Sequence, residues 1–253
     1  MKIFVAYFKR TFSYPMVYFS ILCVSIICII GMSSQSYQFG IINPFNFMLD
    51  ISSYRKLIML FASLPFVSCF SQEWNYNLTN QIISRSYPSK YISIHIIMSF
   101  FTAFLVTFLG ITMCILCLCL KYPLYIDTGN SNLGAFLQLI NNDQILLYLF
   151  FKSFHYSYSI AIWALSGLAM SAVFTNTFVA VCAPLIFSYI IEMITIEPVF
   201  LPDLWHLSLS YTDISNNPWI ASGYIILMFS TMGLIFSWIF YYFSKRRIEN
   251  EIY

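Results

Sequence analysis

Charge is what this chain has least of. Asp, Glu, Lys and Arg make up 9% of its 253 residues, against roughly 25% in an ordinary soluble domain. That shortage excludes a water-soluble globular protein of usual composition. Together with 60% hydrophobic residues, it points to a polytopic membrane protein. The net charge of +2 is too small for a nucleic-acid surface. Glycine is scarce as well, with eight in the chain. None opens a G-x-x-x-x-G-K-[S/T] loop, so the chain has no phosphate cradle of that kind and no nucleotide site by that route. No nucleophile elbow stands out, which ranks an intramembrane enzyme behind the other readings.

What is present is apolar sequence, broken at intervals. An α-helical span needs roughly 20 apolar residues, and six stretches qualify: about Met16–Met32, Leu57–Phe70, Ile92–Leu120, Leu146–Phe174, Thr177–Ile196 and Trp219–Phe243. The expected fold is therefore all-α, one domain over residues 1–253 with six transmembrane helices. Residues 1–13 repeat Ile3, Phe4, Tyr7 and Phe8 at helical spacing, with Lys2, Lys9 and Arg10 mostly elsewhere on the wheel. That pattern predicts a basic amphipathic helix on the membrane surface, ended by Pro15. The same cations before Met16–Met32 have the layout of a secretory signal, but the first span is expected to stay as an anchor.

Lys and Arg set the orientation. With the N-terminus inside, Lys2, Lys9, Arg10, Arg85, Lys90, Lys245, Arg246 and Arg247 are cytoplasmic. Arg55, Lys56, Lys121 and Lys152 are outside. Both termini then face the cytoplasm of a multi-pass cell-membrane protein. Arg55 and Lys56 are misfits in this scheme, assigned only to snorkelling. Outer segments are 33–56, 121–145 and 197–218. The last is apolar enough over Glu197–Trp205 to dip back as a re-entrant piece. Phe174–Thr177 is a tight cytoplasmic turn.

Few residues carry candidate chemistry. The seven cysteines all sit in apolar runs. Cys114, Cys117 and Cys119 include a C-x-x-C spacing, but no second pair or nearby His completes it, so no metal site is expected. His155 and His206 lie on the outer side with no ligand spacing to Asp203. His95, near the cytoplasmic start of the third span, reads as an interface residue. Glu192 is the one clean ionisable residue within a span. It either lines a path, reaches the outer interface or pairs with a neighbour such as Lys152. Gly167 and Ser171, with Ala164, Ala169 and Ala172, make a small-residue face for helix packing, internal or between subunits. Pro184 should kink the fifth span.

The polar island 71–91 lies between spans two and three, on the cytoplasmic side. Trp74, Leu78 and Ile82 recur every four residues as an apolar stripe that can plug a partner's groove. Glu73 stands after the second span, followed by Leu78–Thr79, the apolar pair Ile82 and Ile83, and Ser84-Arg85-Ser86-Tyr87-Pro88-Ser89-Lys90. With six spans and an N-terminal interfacial helix, this arrangement resembles the ABC type-2 permease family, the membrane subunits of bacterial ABC exporters. The resemblance implies a coupling helix in 71–91, with Glu73, Trp74, Leu78, Thr79, Ile82, Arg85 and Lys90 at the contact. It also implies a separate ATP-hydrolysing subunit carrying ATP and Mg, and a second permease subunit in a homo- or heterodimer. The chain itself would then hold no cofactor and catalyse no covalent step. By the same resemblance the cargo is an amphiphile (peptide, lipid or drug-like), and self-immunity against a membrane-active peptide is one version. The alternative is a membrane scaffold that recruits a cytoplasmic partner without transport.

Overall fold

The computed structural model describes residues 2–35, 37, 40–83, 87–124, 136–196, 204–210, 215 and 217–252. Its regular elements are all helices: α1 (Lys2–Ser13), α2 (Pro15–Ser33), α3 (Ile42–Asp50), α4 (Ser52–Ser63), α5 (Cys69–Asn75), α6 (Leu78–Ile83), α7 (Pro88–Cys119), α8 (Leu137–Asn141), α9 (Ile145–Val173), α10 (Thr177–Ile196), α11 (Leu204–Ser208) and α12 (Pro218–Ile252). Among the described residues, α2, α7, α9, α10 and α12 are long and apolar enough to cross a membrane.

Local chemistry sets several of these boundaries. Pro15 and Pro88 open α2 and α7, where the missing N–H is no loss and φ is already helical. The Asn176 and Asn217 side chains accept the N–H of Phe178 and Trp219 at the starts of α10 and α12, which satisfies donors that a helix start leaves orphaned. Two helices outrun their expected spans. α7 has 32 residues and α12 has 35. At ~1.5 Å per residue each is longer than a hydrocarbon core of roughly 30 Å. α12 continues past Phe243 through Lys245, Arg246 and Arg247 as one helix.

α9 is the central helix. It is the most buried of the five and packs against α4, α7, α10 and α12. Its small residues permit that. A Cβ on Gly167 would fall 2.4 Å from the Ala180 carbonyl oxygen and 2.8 Å from Pro184 Cγ. The α9–α10 crossing therefore needs glycine there. Gly110 plays the same part between α7 and α2, where a Cβ would meet Val24 at 2.5 Å.

Contacts sort the elements into two ends. At the end holding α1, the Asn75 amide donates to the Thr175 carbonyl at 2.8 Å, and Arg247 donates to the Ala172 carbonyl at 3.0 Å. That end gathers α1, α5, the α9–α10 turn and the tail of α12. At the far end, Tyr37 stacks on Tyr122 and Phe151 meets Trp219 edge-on. The segment 52–75 runs between the ends in two pieces. α4 starts at the far end, where Arg55 donates to Ser208, and α5 finishes beside Asn75–Thr175. Sequence predicts one continuous span, 57–70. The chain instead turns over residues 64–68, because Pro65 lacks an N–H and its ring crowds the preceding turn.

Candidate functional site

Glu73 is the focus of the α1 end. It is 1% exposed, and four side chains from two other helices converge on it. Tyr7 and Tyr91 each donate a hydroxyl to Oε2 at 2.8 Å. His95 Nε2 lies 3.1 Å from the same oxygen, and Arg10 Nη1 donates to Oε1 at 2.7 Å. Within α5, the Cys69 thiol points at Oε1 from 3.4 Å. These hydrogen bonds and the Arg10 ion pair compensate a carboxylate that burial alone would leave unsatisfied.

Helix periodicity builds this site. Tyr7 and Arg10 are three apart on α1, Cys69 and Glu73 four apart on α5, and Tyr91 and His95 four apart on α7. Each pair shares a helix face. Phe66 and Phe70 wall the site, with ring centroids 5.5 and 5.7 Å from that of His95. The opposite side of α1, Phe4, Val5 and Phe8, stays exposed. Arg10, placed by sequence on a basic outer face, turns part of its guanidinium inward to Glu73 and leaves 55% of its side chain exposed.

The other residues proposed for the coupling contact divide. Glu73 is an internal anchor, not a surface group. Trp74 is half-buried, stacks on Phe70 and carries the Arg247 guanidinium 5.0 Å over its ring. Thr79 is buried, Ile82 packs on the core and Leu78 is exposed. Lys90 is exposed beside Tyr87. Arg85 lies outside the described residues. The continuous stripe of Trp74, Leu78 and Ile82 is a point of correction: α5 ends at Asn75 and α6 starts at Leu78. Asn77 between them has φ 56°, a left-handed turn that Asn tolerates. Trp74 and Leu78 therefore belong to different helices. What protrudes is the turn itself, with Tyr76 74% and Leu78 37% exposed.

A second polar cluster fills the far end. Glu192, 5% exposed, pairs with Arg55 and, at 2.9 Å, with Lys56. Lys56 also donates to Ser188 at 2.7 Å. These contacts explain the two cations that look misplaced in sequence. Sequence suggests Lys152 as the neighbour of Glu192; Lys152 donates instead to the Leu209 carbonyl. Arg55 donates to Ser208, and His155 sits between Ser210 and Ser222 at 3.1 and 2.7 Å. Of the 197–218 loop, 204–210, 215, 217 and 218 are described, and Leu204, Leu207 and Leu209 are buried.

Gly167 and Pro184 meet each other inside the bundle, and Ser171 is buried with its hydroxyl donated to the Leu168 carbonyl. Cys114 is buried beside Met32, while Cys117 and Cys119 are exposed.

No family model, no curated protein and no solved structure matches this chain.

Sequence reasoning missed Tyr7, Tyr91 and His95 as partners of Glu73. The signal was the repeated i, i+3 and i, i+4 pairing of polar groups on otherwise apolar helices. It also missed the convergence of Cys69, Glu73 and His95, whose ligand atoms all lie within 4.8 Å of one another.

Proposed function

We propose that this chain is the permease subunit of an ATP-driven exporter of the ABC type-2 kind, with six crossings, the 52–75 segment supplying the sixth as a broken span. Both termini face the cytoplasm. The observation that carries this reading is the way Glu73 ties three parts together. It joins the interfacial helix α1, the short helix α5 and the long span α7 through buried hydrogen bonds. The exposed turn at Tyr76 and Leu78 follows within five residues of Glu73. A soluble partner pressing on that turn moves α5, and Glu73 passes the movement to α1 and α7. A mechanical input from outside the membrane needs such a rigid joint, because buried networks have discrete arrangements and do not deform smoothly. The energy would come from a separate ATP-binding subunit, and the path from an apolar cleft formed with a second permease subunit.

The test is co-purification from membranes with a nucleotide-hydrolysing subunit, read in wild type and in Tyr76→Asp/Leu78→Asp. Both side chains are exposed, so the fold should survive. Loss of the partner with an unchanged melting temperature supports the coupling reading. Retention of the partner by the double variant sinks it. A partner that binds but hydrolyses no ATP favours the scaffold alternative.

A further inference from the structure

The Glu73 cluster has the composition of a metal site as well as of a joint. Cys69, Glu73 and His95 supply a thiol, a carboxylate and an imidazole, the three donor types that hold Zn2+ in proteins. All three are buried: Cys69 is 8%, Glu73 1% and His95 0% exposed. His95 Nε2 and Glu73 Oε2 are 3.1 Å apart, and Cys69 Sγ and Glu73 Oε1 are 3.4 Å apart. A tetrahedral Zn2+ with bonds of about 2.0–2.3 Å separates neighbouring donor atoms by about 3.3–3.6 Å. The two short contacts use different carboxylate oxygens; taken as one ligand atom per residue, the three donors lie within 4.8 Å of one another, and side-chain rotation is needed to bring them to ligand spacing.

Two features argue for access and exchange. Cys69 lines a 430 Å³ cavity whose largely apolar wall (Leu64, Phe66 and Val181 among it) also carries Arg10, Thr11 and Gln72, so the thiol side of the cluster borders open space. Ligation through Nε2 replaces the His95 contact with Glu73 and places the ring proton on Nδ1, which has no hydrogen-bond partner among the described residues. Arg10, the cation now on Glu73 Oε1, is more than half exposed and can swing to solvent.

We propose that Cys69, Glu73 and His95 bind a thiophilic divalent cation of the Zn2+ class, in competition with the Arg10 guanidinium for the Glu73 carboxylate. The cation takes Cys69 as thiolate, its proton passing to water, since a coordinated thiol is deprotonated outright. His95 ligates through Nε2 with its proton on Nδ1. Tyr7 and Tyr91, already on Oε2, remain as the outer hydrogen bonds that orient the carboxylate. Metal binding releases Arg10, and so loosens one of the two ties between α1 and α5 while tightening α5 against α7. This inference does not rest on the transport reading and is tested without any partner subunit.

The experiment is titration of the tag-free, detergent-purified full chain with Co2+, followed by the thiolate-to-cobalt absorption in the near ultraviolet, with Zn2+ as competitor. One equivalent should bind and Zn2+ should erase the band. Cys69→Ser and His95→Gln should abolish it, while Cys117→Ser and Cys182→Ser keep it. Arg10→Gln should tighten binding about tenfold, the scale on which neighbouring groups shift metal affinity. Absence of the band in wild type, a band that survives Cys69→Ser, or weaker binding by Arg10→Gln overturns the proposal. Should Cys69→Ser fail to fold, Arg10→Gln, at a half-exposed position, still decides.

Discussion

The Tyr7 hydroxyl donates to Glu73 Oε2 across 66 residues of sequence, at 2.8 Å and out of contact with water. A surface helix and a bundle helix are thereby joined through a buried carboxylate. The consequence is a defined penalty for removing either side. Glu73→Ala leaves the Tyr7 and Tyr91 hydroxyls and His95 without their common acceptor, and breaking such a buried group costs on the order of 3 kcal/mol. Thermal unfolding in detergent should fall by several degrees. Tyr7→Phe removes one donor of several and should cost on the order of 1 kcal/mol.

Close packing at Gly167 predicts a sharp contrast between two glycines. Gly167→Ala puts a methyl 2.4 Å from the Ala180 carbonyl oxygen, and forcing α9 and α10 apart should cost about 1–3 kcal/mol. Gly223, on α12, has nothing within 4 Å of its would-be Cβ. Gly223→Ala should leave stability unchanged or slightly raise it. Equal effects of the two would contradict the packing described here.

Much of this fold is legible in sequence because lipid demands long, uninterrupted apolar helices. Five of the six stretches are single helices, with ends marked by Pro15, Pro88 and Pro218. The sixth is misread because hydropathy does not register a turn: Pro65 sits inside an apolar run and splits it. Glu73 is legible as a singular residue, but its role is not. Its partners come from α1 and α7, 66 and 22 residues away, and no periodicity within one segment reports a contact between segments. Arg55 and Lys56 are the same case. They look like stray outer cations until Glu192, on a helix 136 residues later, is placed beside them.

The far-end cluster yields the last prediction. Three consecutive residues are each held by a buried side chain from the bundle: Ser208 by Arg55 on α4, and Leu209 and Ser210 by Lys152 and His155 on α9. Ser210 adopts φ 62°, a left-handed conformation uncommon for serine, so these tethers work against a local backbone preference. Lys152→Met keeps the apolar length of the side chain and removes the donor to Leu209. Hydrogen exchange at 204–210 should then quicken, since local opening needs fewer interactions broken. Exchange in α12 near Phe229, which is fully buried away from the loop, should not change. If 204–210 exchanges at the wild-type rate in Lys152→Met, the loop is held by its buried leucines and the cationic tether contributes little.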